Sequence, residues 1–326
     1  MKSFRWLCQF LFLSLLGLSS CYLEASVKDS HYPNRSIRLL VGFTPGGTSD
    51  VVARIVGKKL GETWGQSFVI DNRAGAAGMV AAEITAHAPA DGYTLFFVSS
   101  SFAMQPSTAA KLPYDVKKDF APITLAVSTP YLLVIHPSVQ AHNLKEFIAL
   151  AKSKPGQISS ATAGPGSAIQ STAELFNTVA GVNILLVPYK GAVGITDLIA
   201  GHVQTSFAGF AQTSAHIKGG RLRAIAVSSA KRFSLLPDIP SIAEAGVPGF
   251  DVTIWYGLVA PAKTPLAIIN KLNAGFASTL QSQETQQTLI EIGVDTVAST
   301  PQQFASIIDK DIIQWKRLNS INNPSR

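Results

Sequence analysis

Thiols are nearly missing from this chain of 326 residues: Cys8 and Cys21 are the only two, and both lie close to the N-terminus. The rest of the sequence cannot build a disulfide framework, a cysteine metal site or a cysteine nucleophile. Charge is sparse too, at 14%, and no run of Lys or Arg exceeds two residues. Although the net charge is +7, cations spread so thinly argue against nucleic acid as the main partner. Enzyme motifs are missing as well. No serine has Gly two residues away on both sides, so no nucleophile elbow is present. There is no His-Glu-x-x-His run, and the six histidines are scattered, which disfavours a metal site. Pro45-Gly46-Gly47 lacks the Gly-Lys-Ser/Thr ending of a phosphate loop, and Gly164-Pro165-Gly166 lacks the third glycine of a dinucleotide turn. The sequence therefore calls for no cofactor, no metal and no catalytic residue.

Long apolar runs are also few. Met1–Arg5 is a short basic start, and Trp6–Leu18 is an apolar stretch interrupted only by Gln9, Ser14 and Gly17. It is short for a membrane span, and polar sequence follows at once, so residues 1–26 read as an export signal. Two endings of that signal stand side by side. One is ordinary cleavage near Ala25. The other is lipidation of Cys21, the last residue of Leu18-Ser19-Ser20-Cys21, which would tether the protein to a membrane.

At 47% apolar content the remainder can build a large core, and its length suggests about two domains. Arg38–Asp50 reads as a buried strand, a glycine turn and a helix start, with Thr48, Ser49 and Asp50 all able to cap. Strand-like runs at Ser67–Asp71 and Tyr93–Val98 alternate with helical ones, an order that implies a parallel sheet. The pattern restarts at Tyr131–Ile135 and continues through Ser159–Thr162, Ile184–Val187, Val203–Phe207 and Leu222–Val227. The tail is helical, with Thr264-Pro265 and Thr300-Pro301 as helix starts. The expected fold is α/β, with two similar lobes, a hinge and a cleft between them. Lobe 1 is 33–128 plus 252–326, and lobe 2 is 129–251. The chain crosses between them near Ser128–Pro130 and near Phe250–Trp255, and the helical tail packs on lobe 1.

Two similar devices fall one in each lobe. Loop one is Phe43, Thr44, Pro45, Gly46, Gly47 and Thr48; loop two is Gly164, Pro165, Gly166 and Ser167. Each precedes a helix, whose start bares N–H groups and carries a partial positive charge. Facing each other, they would grip a carboxylate without a buried Arg or Lys. Taken singly, either loop reads as an ordinary strand-to-helix turn; the pairing across lobes and the export signal bring binding ahead. Ser99 and Ser101 follow a strand's carboxyl end and could donate hydroxyls there. Tyr189 and Lys190 end another strand, as wall and charge. Gln170 lies in the first turn after loop two. Asp50 reads as a capping or hinge-stabilising group and not a base.

The motifs then add up to a resemblance. Phe43-x-Pro-Gly-Gly-x-x-Asp50, Asp71-Asn-Arg-x-Gly-Ala76, Ala90-Asp-Gly-Tyr-Thr-Leu95, Lys111-Leu-Pro-Tyr-Asp115, Pro188-Tyr-Lys-Gly191 and Trp255-Tyr-Gly-Leu-x-Ala-Pro261 occur in order. With them the chain resembles the Bug-type receptors of tripartite tricarboxylate transporters over nearly its whole length. The resemblance implies a monomeric periplasmic receptor with the two-lobed, Venus-flytrap fold of type 2 binding proteins. It closes on a small carboxylate through loops one and two and hands it to a permease of one large and one small subunit. Some members instead signal to sensor kinases, and an exported enzyme acting on an acid is the remaining alternative. The sequence departs from the family pattern at Gln170, often His, at Pro165, often Asn, and at Ala208-Gly209, often Asp-Asn. Those departures suggest room for a bulkier or uncharged ligand tail beside Ala208 and Gly209.

Overall fold

The computed structural model describes residues 32–109, 111–189 and 193–322. Two sheets organise it. The first has six strands in the order β11-β4-β10-β3-β1-β2. They are β1 (Ile37–Val41), β2 (Phe68–Asn72), β3 (Thr94–Ser99), β4 (Phe120–Pro130), β10 (Thr253–Pro261) and β11 (Asp295–Thr296). The second has five in the order β7-β6-β8-β5-β9. These are β5 (Leu132–Ile135), β6 (Ser159–Thr162), β7 (Leu185–Pro188), β8 (Thr205–Ala208) and β9 (Arg223–Val227). Each sheet is covered by helices, so the molecule has two α/β lobes.

Neither sheet is purely parallel, which corrects the simple β-α-β reading. Strands β1, β2 and β3 are parallel, as are β6, β7 and β8. Strand β10 runs antiparallel between β3 and β4, and β5 runs antiparallel to β8 and β9. The reason is topological. β4 leaves the first lobe and β10 re-enters it, so each lies beside strands of opposite direction.

The two passages are clasped together. Between β4 and β5 the chain crosses at Tyr131, whose N–H donates to Ser228 Oγ at 2.9 Å. Ser228 Oγ donates in turn to the Val252 carbonyl at 2.6 Å, and Ser228 N–H donates to Tyr131 O at 2.9 Å. Ser228 is fully buried. One hydroxyl thereby ties the outgoing strand to the returning one.

The helices are α1 (Thr48–Trp64), α2 (Met79–Ala86), α3 (Ser101–Thr108), α4 (Leu144–Ser153), α5 (Ala168–Ala180), α6 (Val193–Ile199), α7 (Phe210–Lys218), α8 (Leu266–Gln281), α9 (Gln283–Glu291) and α10 (Pro301–Asn322). Several start where capping chemistry says they should. Asn143 Oδ1 accepts from Glu146 N–H at 2.9 Å, and Thr300 and Gln303 exchange the two bonds of a capping box. Two starts differ. The N-cap of α1 is Gly47, which has no side chain to cap with; Thr48, Ser49 and Asp50 lie inside the helix, and Asp50 bonds loop one instead. Thr264 Oγ1 turns back to the Pro261 carbonyl, and Pro265 itself occupies the N-cap of α8. The tail helices α8 and α10 lie on β4, and α10 brings Phe304, Ile308 and Ile312 into the core around Trp255 and Phe102.

Candidate functional site

A cavity lies where loop one and β3 of the first lobe meet β6, β8 and the helix starts of the second. Its lining is built from turns, and each turn has an identifiable brace.

Loop one is held by Asp50. Gly46 has φ +86°, a conformation that glycine adopts freely, and its N–H donates to Asp50 Oδ2 at 3.0 Å. Asn72 Nδ2 donates both to Asp50 Oδ1 and to the Phe43 carbonyl at 3.0 Å. Arg54 Nε donates to Asp50 Oδ2 at 3.1 Å. Burial pushes the Asp50 carboxyl up, but the bonds from Arg54, Gly46 and Asn72 outweigh it and hold it below the ordinary value. With the Gly46 amide satisfied internally, Gly47, Thr48 and Ser49 form the cavity wall, and the amides of a helix's first turn have no partner within the helix.

Two buried tyrosines stand beside this turn. Tyr256 stacks on Phe97 with rings 6.1 Å apart, and the Thr48 side chain stands beside its hydroxyl. Burial raises Tyr256 to about 12, and burial raises Tyr131 well above the ordinary phenol value. Both therefore face the cavity as neutral phenols.

The second lobe supplies loop two. Gly164 and Gly166 have φ +87° and +78°. Ser167 Oγ accepts from Gln170 N–H at 3.2 Å and donates to Gly164 O at 2.6 Å, capping α5. The first amide of α5 is satisfied from the other lobe: Ala168 N–H donates to Ser101 Oγ at 2.9 Å. The lobes thus meet directly at the cavity.

The lining holds the opening residues of α1, α3, α5, α6 and α7. Among the described residues that line it there is no Lys, Arg, His, Asp or Glu. What this lining offers an anion is helix dipoles and hydroxyl donors, not ionised side chains.

Of the residues singled out from sequence, Phe43, Thr44, Gly47, Thr48, Ser99, Ser101, Ser167 and Gly209 are gathered around this cavity. Pro45, Gly46, Gly164, Pro165 and Gly166 shape the two loops but lie off the lining. Gln170 is turned away: it pairs with Thr162 Oγ1 at 3.1 Å and donates to Glu174 at 2.9 Å. Tyr189 is also off the lining, because its hydroxyl donates to Asp197 at 2.8 Å. Ala208 is buried within β8. The space beside Gly209 is taken by Thr48, whose Oγ1 would lie 2.5 Å from a Cβ at that position. Lys190 and Cys21, with the rest of residues 1–26, lie outside the described residues. Sequence reasoning missed Tyr131, Tyr256, Phe207, Ser206, Ile195 and Gln212 as lining. Gln212 sits three residues past its cap, as Gln170 does, and only Gln212 lines the cavity, so that spacing alone does not mark a lining residue.

A two-lobed α/β receptor with a ligand cavity at the lobe seam is the class this fold and site define. The model of the tripartite tricarboxylate transporter family receptor matches residues 52–323, and this chain belongs to that family. It is 34% identical over 308 residues to the protein BugT of Bordetella pertussis (strain Tohama I), covering 93% of this chain and 94% of BugT. Among solved structures it is similar to Rpa4515 of R. palustris with adipate, at TM-score 0.87 and 34% identity over 90% of this chain and 98% of that one. MatC from Rhodopseudomonas palustris with bound malate gives TM-score 0.84 and 30% identity over 88% and 100%. Membership makes this chain a receptor of a transporter family and not of an enzyme family, and it places it in the periplasm with permease subunits as partners.

Proposed function

We propose that this protein captures a small organic carboxylate between its lobes and delivers it, chemically unchanged, to the permease. The observation that carries the reading is the convergence of helix starts on a cavity whose described lining has no ionised side chain. An anion is favoured there by aligned dipoles, and no fixed carboxylate repels it. The adipate and malate bound to two similar receptors fit the same chemistry. Loops one and two act as the jaws. Lobe 1, 33–128 with 252–326, and lobe 2, 129–251, close as bodies about the passages at Tyr131 and Val252. The exported protein works as a monomer.

The test is thermal unfolding of purified protein against a panel of dicarboxylates, including adipate and malate, tricarboxylates, aromatic acids and amino acids. A ligand at 100 times its Kd adds about 2.7 kcal/mol of stability and raises the melting temperature. A panel without any shift overturns the reading. Conversion of a bound acid to product, followed by mass spectrometry, would overturn the absence of chemistry.

A further inference from the structure

Gly209 sits at the N-cap of α7 with φ −71° and ψ 149°, a conformation open to every amino acid. Nothing in the backbone requires glycine there. The constraint comes from the opposite lobe: a Cβ at 209 would stand 2.5 Å from Thr48 Oγ1. Thr48 has little freedom to give way. It is buried, its Cβ is branched, and it packs beside Tyr256, which stacks on Phe97. A β-branched side chain has few rotamers, and in one of the two alternatives the methyl takes the place of the hydroxyl. Two further glycines also face the opposite lobe across the seam. A Cβ on Gly293, in the first lobe, would stand 2.6 Å from Phe210 Cβ of the second. A Cβ on Gly166 would stand 3.1 Å from Thr108 Oγ1 and 3.9 Å from Thr108 Cβ.

We propose that Gly209 is the positioning residue that sets how far the two lobes shut, by letting the start of α7 come down onto Thr48. A methyl group at 209 acts as a wedge, and the wedge works only while Thr48 keeps its hydroxyl. The proposal deepens the receptor reading and rests on its lobe closure, but it is tested without any ligand. The trap is a cysteine pair, Thr108→Cys with Gly166→Cys, in the full chain with Cys8 and Cys21 changed to Ser. The Cβ separation of 3.9 Å is within disulfide range only when the lobes meet. The rate of cross-linking under mild oxidation therefore reads the closed population. With Gly209→Ala the rate falls at least about tenfold, the effect of one overpacked methyl. Adding Thr48→Ala restores it to the rate of Thr48→Ala alone, and circular dichroism confirms that each variant is folded. An unchanged rate in Gly209→Ala overturns the proposal. So does a fall that Thr48→Ala fails to relieve, or a parent pair that never cross-links. If no carboxylate binds in the thermal panel while the trap behaves as described, the ligand reading fails and the closure stands.

Discussion

At the scale of single residues, Asp50 shows how a carboxylate can serve an anion site without entering it. It is buried at 3% exposure, accepts from Arg54, Gly46 and Asn72, and stays off the cavity lining. Asp50→Asn keeps the shape but weakens the bonds, and we expect a loss of about 1–2 kcal/mol at pH 7 in denaturant unfolding. Because the folded-state carboxyl titrates below the ordinary value of 3.8, its stabilisation is fully present above that pH. It fades as pH falls through the folded value. The gap between wild type and Asp50→Asn should therefore be widest near neutrality and close in acid below 3.8. A gap that grows on acidification would refute this account. Loop one was legible in the sequence because two glycines between an apolar run and a helix allow few alternatives. The direction of Gln170 was not, since it depends on Glu174 one turn further along and on Thr162 in the neighbouring strand.

At the scale of elements, the helices were the easier part to read, because caps are local chemistry. Asn143 with Glu146 and Thr300 with Gln303 each mark a helix start within four residues. Strands β4 and β10 were not readable in that way. Thr253–Pro261 is buried at every position after the first, so it shows no alternation, and its partners lie more than 100 residues upstream. Gly257 reveals what that strand must accommodate. A Cβ there would stand 2.7 Å from the Thr124 carbonyl and collide with the Phe304 ring of α10. Gly257→Ala should cost about 1–3 kcal/mol in denaturant unfolding, and Gly257→Ala with Phe304→Leu should recover part of it. A Gly257→Ala protein as stable as wild type would mean that α10 does not pack on β10 as described.

At the scale of the whole molecule, the lobes communicate through the clasp at Ser228. Its hydroxyl accepts from Tyr131 N–H and donates to Val252 O, so removing it leaves two buried backbone groups without that partner. Ser228→Ala should lower stability by about 1–3 kcal/mol and speed amide exchange at Tyr131. Unchanged exchange at Tyr131 would show that the clasp is not what holds the passages together. The two-lobed plan itself was legible from the repeated order of elements. The clasp was not, because Ser228 gives no motif and acquires its role only when two distant passages run side by side.

The place of β10 has a last consequence, for how the chain comes into being. The second sheet is assembled from strands within Leu132–Val227, one unbroken stretch. The first has β10 between β3 and β4, and that strand ends only at Pro261. A polypeptide delivered from its N-terminus therefore completes the later lobe while the earlier one still has a gap through its middle. The larger half is the last to be finished: β1, β2 and β3 can pair among themselves, but β4 and the outer edge of β3 have no strand beside them until Pro261 has been made.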